Sequence, residues 1–183
     1  MAAAPISVVI PAHDEERFLA EAIHSVQAQT LQPAEIIVVA DDCKDRTAEI
    51  AAELGAIVVE QNRRNMAAAL NVGIKASSQS WIALLDADDL WDKRKLAWQW
   101  KAIQDCPAAA LIACDLSLLV GERVSPIWSA RQRRHRWKGF DHVTVSDNCK
   151  FLEKIPGEFL PIFNLGTPTV MLRRDVFAQE TLS

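Results

Sequence analysis

The chain has 183 residues, half of them hydrophobic and 24% charged, with a formal net charge of −4. That length suits one domain with a substantial core, and the composition is that of a globular protein. The mild negative charge gives no global pull towards nucleic acid or an anionic membrane.

The first ~110 residues alternate apolar runs with helical patterns. Ile6 to Ile10 reads as a buried strand closed by Pro11, and Leu19, Ala22, Ile23 and Val26 then mark one face of a helix. Glu35 to Val39 is a second strand; Asp45 can cap a helix running to Leu54, which Gly55 ends. A third strand at Ala56–Val59, a helix over Ala67 to Lys75 and a fourth strand at Trp81–Leu85 follow. Asp92 begins another helix, carrying Leu96, Trp100 and Ile103. Connections this short imply right-handed crossovers onto a parallel sheet. Later, Ala108 to Val120 predicts a fifth strand and Thr169 to Leu172 another, with residues 122–165 read as an excursion over the ligand edge of the sheet.

Ligands of such sheets bind beyond the carboxyl ends of the strands. Here those ends carry His13-Asp14, Asp41-Asp42, Gln61-Asn62 and Asp86-Ala87-Asp88-Asp89. Asp86 and Asp88 are two apart, so an extended backbone points both to one side. Carboxylates that close repel one another unless a cation neutralises them. Hard oxygen ligands suit Mg²⁺ or Mn²⁺, which commonly combine one or two protein carboxylates with substrate phosphates. The pattern therefore predicts metal held by Asp88 and Asp86, bridging to a diphosphate. The plainer alternative is a set of loop aspartates, one of them capping the next helix. Asp41 can accept from a base N–H, while Asp45 reads as a cap.

Absent motifs narrow the class. Pro11-Ala12-His13-Asp14-Glu15 replaces a G-x-G-x-x-G turn, and no G-x-x-x-x-G-K-[ST] loop or G-x-S-x-G elbow occurs. Cys43, Cys106, Cys114 and Cys149 lack CxxC spacing, so neither a zinc site nor a redox pair is indicated. Scattered thiols, no secretory signal pattern and no apolar window of roughly 18 residues predict a cytoplasmic protein, or one peripheral to the inner face of a membrane.

Val8–Glu16, Ile36–Cys43 and Leu84–Trp91, in that order and spacing, resemble the family 2 glycosyltransferases, and Thr167 to Phe177 is similar to the late strand of that family. The resemblance implies a GT-A-like, mostly parallel α/β sheet flanked by helices, forming a single domain over 1–183. About 1–110 would be a Rossmann-like nucleotide-sugar-binding part, and about 111–183 a partial acceptor side. It also implies metal-dependent transfer of a sugar from a nucleoside-diphosphate sugar, foremost a UDP-sugar, to an acceptor hydroxyl, usually with inversion. Carried over by position, Pro11, Ala12, His13, Glu15, Asp41, Asn65, Asp86 and Ala87 would line the nucleotide pocket, and Asp88 with Asp86 would hold Mn²⁺ or Mg²⁺. Asn65, able to adopt a left-handed conformation, stands where the family often has Gly.

Two departures stand out. Ala68-Ala69-Leu70-Asn71 replaces the Ala-Ala-Arg-Asn of the family. The acidic general base expected after the late strand has no counterpart: Asp147, Glu158 and Asp175 match no motif, so no catalytic base is assigned and the chain reads as C-terminally short. A non-catalytic nucleotide-sugar-binding or scaffolding domain is thus the alternative function. A nucleotidyltransferase is a third, disfavoured because no Gly-rich basic loop follows strand one.

The run Arg133-Arg134-His135-Arg136-Trp137 reads as a solvated basic loop. Of Trp81, Trp91, Trp98 and Trp100, most read as packing residues; Trp91, directly after the acidic cluster, is the one placed to meet a sugar. The sequence identifies no acceptor and indicates no nucleic-acid partner.

Overall fold

The computed structural model describes residues 3–114, 116–120, 123–128, 142–146, 149–152 and 167–177. They begin with β1 (Ala4–Ala12), α1 (Leu19–Gln27), β2 (Pro33–Asp41), α2 (Thr47–Glu53), β3 (Ile57–Gln61), α3 (Met66–Ala76), β4 (Trp81–Leu84) and α4 (Lys95–Asp105). β5 (Leu111–Ala113), β6 (Leu116–Val120), β7 (Arg123–Trp128), β8 (His142–Ser146), β9 (Cys149–Leu152) and β10 (Val170–Arg173) follow, with short 3-10 turns at Thr167–Thr169 and Arg174–Phe177.

Eight strands form the central sheet in the order β3-β2-β1-β4-β10-β5-β9-β8. β1 to β4 are mutually parallel, as the alternating pattern predicts. Beyond β4 every pairing is antiparallel. The segment predicted as one strand over 108–120 divides instead: β5 joins the central sheet, whereas β6 pairs with β7 in a separate two-stranded ribbon. The region read as an excursion holds β7, β8 and β9. β6–β7 and β8–β9 are hairpins of neighbouring strands, and strands this short leave little local periodicity to detect.

The parallel strands are apolar on both faces because helices cover both. Ile6, Val8, Ile10 and Val38 pack with Leu19, Ile23 and Val26 of α1 and Leu96 and Ile103 of α4. On the other face α3 lies so close to β1 and β2 that a Cβ on Gly73 would come 2.3 Å from Val9 Cγ1 and 3.1 Å from Val39 Cγ2. No side chain fits there, which is why α3 carries glycine in mid-helix despite its conformational cost.

The strand order places the site. The sheet grows from β1 through β2 and β3 in one direction and through β4 in the other, so the chain switches direction between β1 and β4. The β1–β4 ladder ends at Val9↔Leu84, with Leu85 N–H donating to Val9 O at 3.1 Å, while β1 continues to Ala12 beside β2. Pro11, which has no N–H to give, therefore sits where the β4 side of β1 asks for none. The ligand crevice of such sheets falls at this switch, here between the end of β1 and the segment after β4.

Candidate nucleotide and metal site

The loops after β1 and β2 hold each other in place. Glu15 N–H donates to Thr47 Oγ1 at 2.8 Å, Glu16 N–H to Asp45 Oδ2 at 2.9 Å and Lys44 N–H to Asp14 Oδ1 at 2.6 Å. Asp45 also accepts the Thr47 N–H at 3.0 Å from one residue ahead of the N-cap of α2, which is Arg46, so it braces the helix entry without being its N-cap. Asp14, Cys43 and Asp45 bring ligand atoms within 4.8 Å of one another. Their acceptors already serve this loop lock, and no ligand role follows from the grouping.

His13, at the mouth of the crevice, directs Nδ1 to the Asp41 carbonyl at 2.5 Å and has Nε2 3.8 Å from Asp14 Oδ2. Asp41 itself is buried. Its Oδ1 accepts the N–H groups of Arg63 at 2.8 Å and Arg64 at 2.9 Å, and its Oδ2 that of Asn65 at 2.8 Å. Burial alone would push this carboxyl up, but these backbone donors outweigh it and hold the carboxyl below its usual range. The carboxylate is thus committed to the loop that follows β3. Its neighbour Asp42 points to the rim, bound by Lys44 Nζ at 2.5 Å and Arg64 Nε at 2.6 Å.

Asn65 takes a role different from the one its residue type implied. Its φ is −141°, and its side chain caps α3 by accepting the Ala68 N–H at 2.9 Å. The left-handed residue is Arg64, at φ 48°. Asp14 at 54° and Asp42 at 53° share that conformation, so all three positive-φ residues other than glycine among the described residues lie just past the ends of β1, β2 and β3. Backbone of this kind costs energy and recurs where loops shape a ligand site.

The acidic segment is a turn. β4 ends at Leu84, and Asp89 N–H donates to Asp86 O at 3.1 Å, so residues 86–89 fold back rather than run extended. Chain reversal, not strand alternation, brings these carboxylates together. Ala87 is buried at the centre of the turn, Asp88 is exposed and Asp86 half-buried. Asp86 Oδ1 is buried without a hydrogen-bond partner. Burial foremost, then the charges of Asp89 and Asp88, raise the Asp86 carboxyl to about 7, against a hydrogen bond from the Thr167 side chain. Asp89 is raised by burial and Asp88; Glu15, across the crevice, is raised by burial and then by Asp88. Glu15, after β1, thus feels the charge of Asp88, after β4. The contributions of Asp89 and Thr167 were not readable from the sequence, because the first depends on the turn and the second on a residue some eighty positions later.

Three carboxyls of the turn, one with an orphaned oxygen, and the Glu15 carboxyl that feels Asp88 fit a divalent cation, which would neutralise them. Among the described residues, Asp86, Asp88 and Asp89 do not close to the mutual 4.8 Å of the loop group. That spacing suits an ion held by one or two carboxylates with its remaining shell from phosphate and water.

Trp91 does not offer a face for sugar. It is buried, its Nε1–H donates to the Pro168 carbonyl at 2.9 Å, and the ammonium of Lys95 lies 3.6 Å from its ring centroid. Lys95 is buried as well, which pushes its ammonium down to about 8. Asp175 is exposed and paired with Arg173 Nε at 2.7 Å. The basic run at 133–137, Asp147 and Glu158 lie outside the described residues. No helix among the described residues is long and apolar enough to cross a membrane.

The profile of glycosyl transferase family 2 matches residues 7–179. The chain belongs to that family. Among curated relatives, an uncharacterized glycosyltransferase of Bacillus subtilis, EpsJ, is 36% identical over 89 residues, covering 46% of this chain and 26% of EpsJ. GlyG of Streptococcus pneumoniae is 27% identical over 113 residues, covering 58% of this chain and 38% of GlyG. Among solved structures, S. aureus TarS in complex with UDP-GlcNAc superposes with a TM-score of 0.66 at 21% identity, covering 94% of this chain and 46% of that one. The mannosyltransferase PcManGT of Pyrobaculum calidifontis, in complex with GDP-Man and Mn²⁺, gives 0.56 at 24% identity over 62% of this chain and 36% of that one. The fold is GT-A, and the chain spans less than half the length of each of these four relatives.

Proposed function

We propose that this family 2 chain binds a nucleoside-diphosphate sugar at the β1–β4 switch and serves metal-dependent, inverting transfer of the sugar to an acceptor hydroxyl. The observation that carries the reading is the orphaned Asp86 Oδ1 beside carboxyls whose burial and like charge raise Asp86, Asp89 and, from the β1 side, Glu15. Asp88 with Asp86 would hold Mn²⁺ or Mg²⁺, and a cation there would offset charge building on the departing diphosphate. The bound UDP-GlcNAc and GDP-Man of the two structural neighbours support a nucleotide-sugar donor of this kind, with a UDP-sugar the leading candidate.

In this reading residues 1–110 form the donor side. Pro11, Ala12 and His13 border the nucleotide from β1, Glu15 faces the metal side, and Asp86 with the Ala87 backbone meets it from β4. Asp41 acts through the loop amides it holds, and Asn65 by starting α3 beneath that loop. Residues 111–183 would contribute part of the acceptor side. No general base is assigned.

The test is thermal unfolding with UDP, GDP, dTDP and ADP, each with and without Mn²⁺. A ligand at about 100 times its Kd stabilises by roughly 2.7 kcal/mol, a shift of several degrees for a domain of this size. The expected result is a shift with one nucleotide that needs Mn²⁺ and disappears in Asp88→Ala. No shift with any nucleotide would overturn the donor site.

A further inference from the structure

Arg64 is held twice by the pair of aspartates at the end of β2. Its backbone N–H donates to Asp41 Oδ1 at 2.9 Å and its Nε–H to Asp42 Oδ2 at 2.6 Å, while Lys44 Nζ occupies Asp42 Oδ1. β2 lies between β3 and β1, so the bond to Asp42 folds the guanidinium back from the end of β3 over the end of β2, in the direction of the switch. Asp42 engages Nε. Among the described residues both Nη groups stay open, and the side chain is 61% exposed.

A left-handed backbone, here at φ 48°, strains any residue with a Cβ, and glycine or asparagine would adopt it more readily. An ion pair this exposed contributes little stability in return. Stability therefore does not account for arginine at this position, whereas a ligand that meets the open Nη groups does. The charge of the ligand edge agrees. Carboxylates follow β1 and β4, at Asp14, Glu15, Asp86, Asp88 and Asp89, whereas the cations closest in sequence to the strand ends follow β2 and β3, at Lys44, Arg63 and Arg64. The end of β2 stands two strand spacings from β4, roughly 10 Å. A group over β2 is thus too far away to serve a cation at Asp86 and Asp88. With a diphosphate at the switch, it lies alongside the nucleoside.

We infer that Arg64 binds the nucleoside end of the donor: its open Nη groups meet a ring carbonyl of the base, such as uracil, thymine and guanine offer and adenine does not. The inference rests on the donor-site reading above and adds to it a residue that selects the base. A guanidinium donates and never accepts, so the edge it meets must be an acceptor. Loss of a hydrogen bond from a charged group of this kind changes affinity roughly tenfold or more.

The experiment compares wild type with Arg64→Gly and Arg64→Asn, replacements that both accept the left-handed backbone. Thermal unfolding without ligand comes first, then affinities in Mn²⁺ for UDP, GDP, dTDP, ADP and inorganic pyrophosphate. The expected result is unfolding midpoints at or above that of wild type, with affinity for the preferred nucleotide lowered roughly tenfold. Preference over ADP should narrow, and pyrophosphate, which has no base, should bind unchanged. If glycine loosens the loop and lowers the midpoint, Arg64→Asn carries the test. Unchanged nucleotide affinity in a folded variant, or an equal loss for pyrophosphate, overturns the inference. So does a wild type that prefers ADP, and so does loss of folding in both variants, which would leave Arg64 a brace of the loop. Failure of wild type to bind any nucleotide would instead overturn the donor site itself, a result the variants cannot mimic.

Discussion

The carboxylate of Asp41 accepts the backbone N–H of Asn65 at 2.8 Å, so the last residue of β2 holds the cap residue of α3. Two further amides on the same carboxylate make it the anchor of the loop after β3. Asp41→Asn swaps one acceptor oxygen for an N–H₂ that faces backbone donors. With hydrogen bonds to a buried charge worth about 1.5–3 kcal/mol each, the expected loss is about 3 kcal/mol, or roughly 6–12 °C in unfolding midpoint. Calorimetry of the two proteins checks this, and an unchanged midpoint would mean that the loop does not depend on Asp41.

Gly73 and Gly55 make a paired test of why each glycine is present. Gly73→Ala drives a methyl into Val9 and Val39 and should cost about 2 kcal/mol or more. Gly55, at φ 77° with nothing within 4 Å of a Cβ, should cost only about 1 kcal/mol as alanine, from backbone strain alone. Denaturant midpoints in the reverse order would contradict the close approach of α3 to β1.

The tryptophans separate by partner. Trp91→Phe keeps an aromatic face but loses the bond to Pro168, worth about 1 kcal/mol, and some buried volume besides. Trp91→Ala also empties buried volume and should cost about 3–5 kcal/mol. Trp98, 55% exposed with the Arg94 guanidinium over its ring, should tolerate alanine within about 0.5 kcal/mol. Urea unfolding of the three variants gives the ranking directly.

The pH dependence has two arms of opposite sign. Asp86, raised to about 7 in the folded protein from an ordinary 3.8, binds a proton more tightly when folded. Its contribution is full below pH 3.8 and lost as pH rises towards 7. Asp89 and Glu15, also raised, act in the same direction. In EDTA the unfolding midpoint should therefore fall between pH 4 and 7, and Asp86→Asn should flatten that fall. Lys95, lowered to about 8 from 10.5, adds stability only as pH rises above 8, outside this window. Equal slopes for Asp86→Asn and wild type would show that Asp86 is solvated in the folded state.

The acid arm belongs to Glu35. Burial would raise it, but Ser7 Oγ at 2.5 Å, Ser78 N–H at 2.7 Å and Ser78 Oγ at 3.0 Å outweigh burial and lower it. Its stabilisation is present above its ordinary 4.5 and lost as pH falls below that value. Glu35→Gln should lower the midpoint at pH 7 and reduce the drop on acidification, as followed by circular dichroism.

The parallel half of the sheet and the location of its ligand edge were legible in the sequence, because a strand buried on both faces and an amphipathic helix each leave a local periodicity. The acidic cluster was legible for the same reason: it directly follows an apolar run. What the sequence could not supply were relationships between residues far apart in the chain. Asp41 as a loop anchor, Arg64 rather than Asn65 in the left-handed conformation, and Trp91 turned inward to Pro168 each depend on a partner twenty to eighty residues away. The antiparallel half was hidden because its strands are short, and β5 and β10 also pair with segments far along the chain. Local side-chain chemistry determined which elements form and where charge gathers; packing decided which of those charges meet, and which side chains serve the scaffold instead of the crevice.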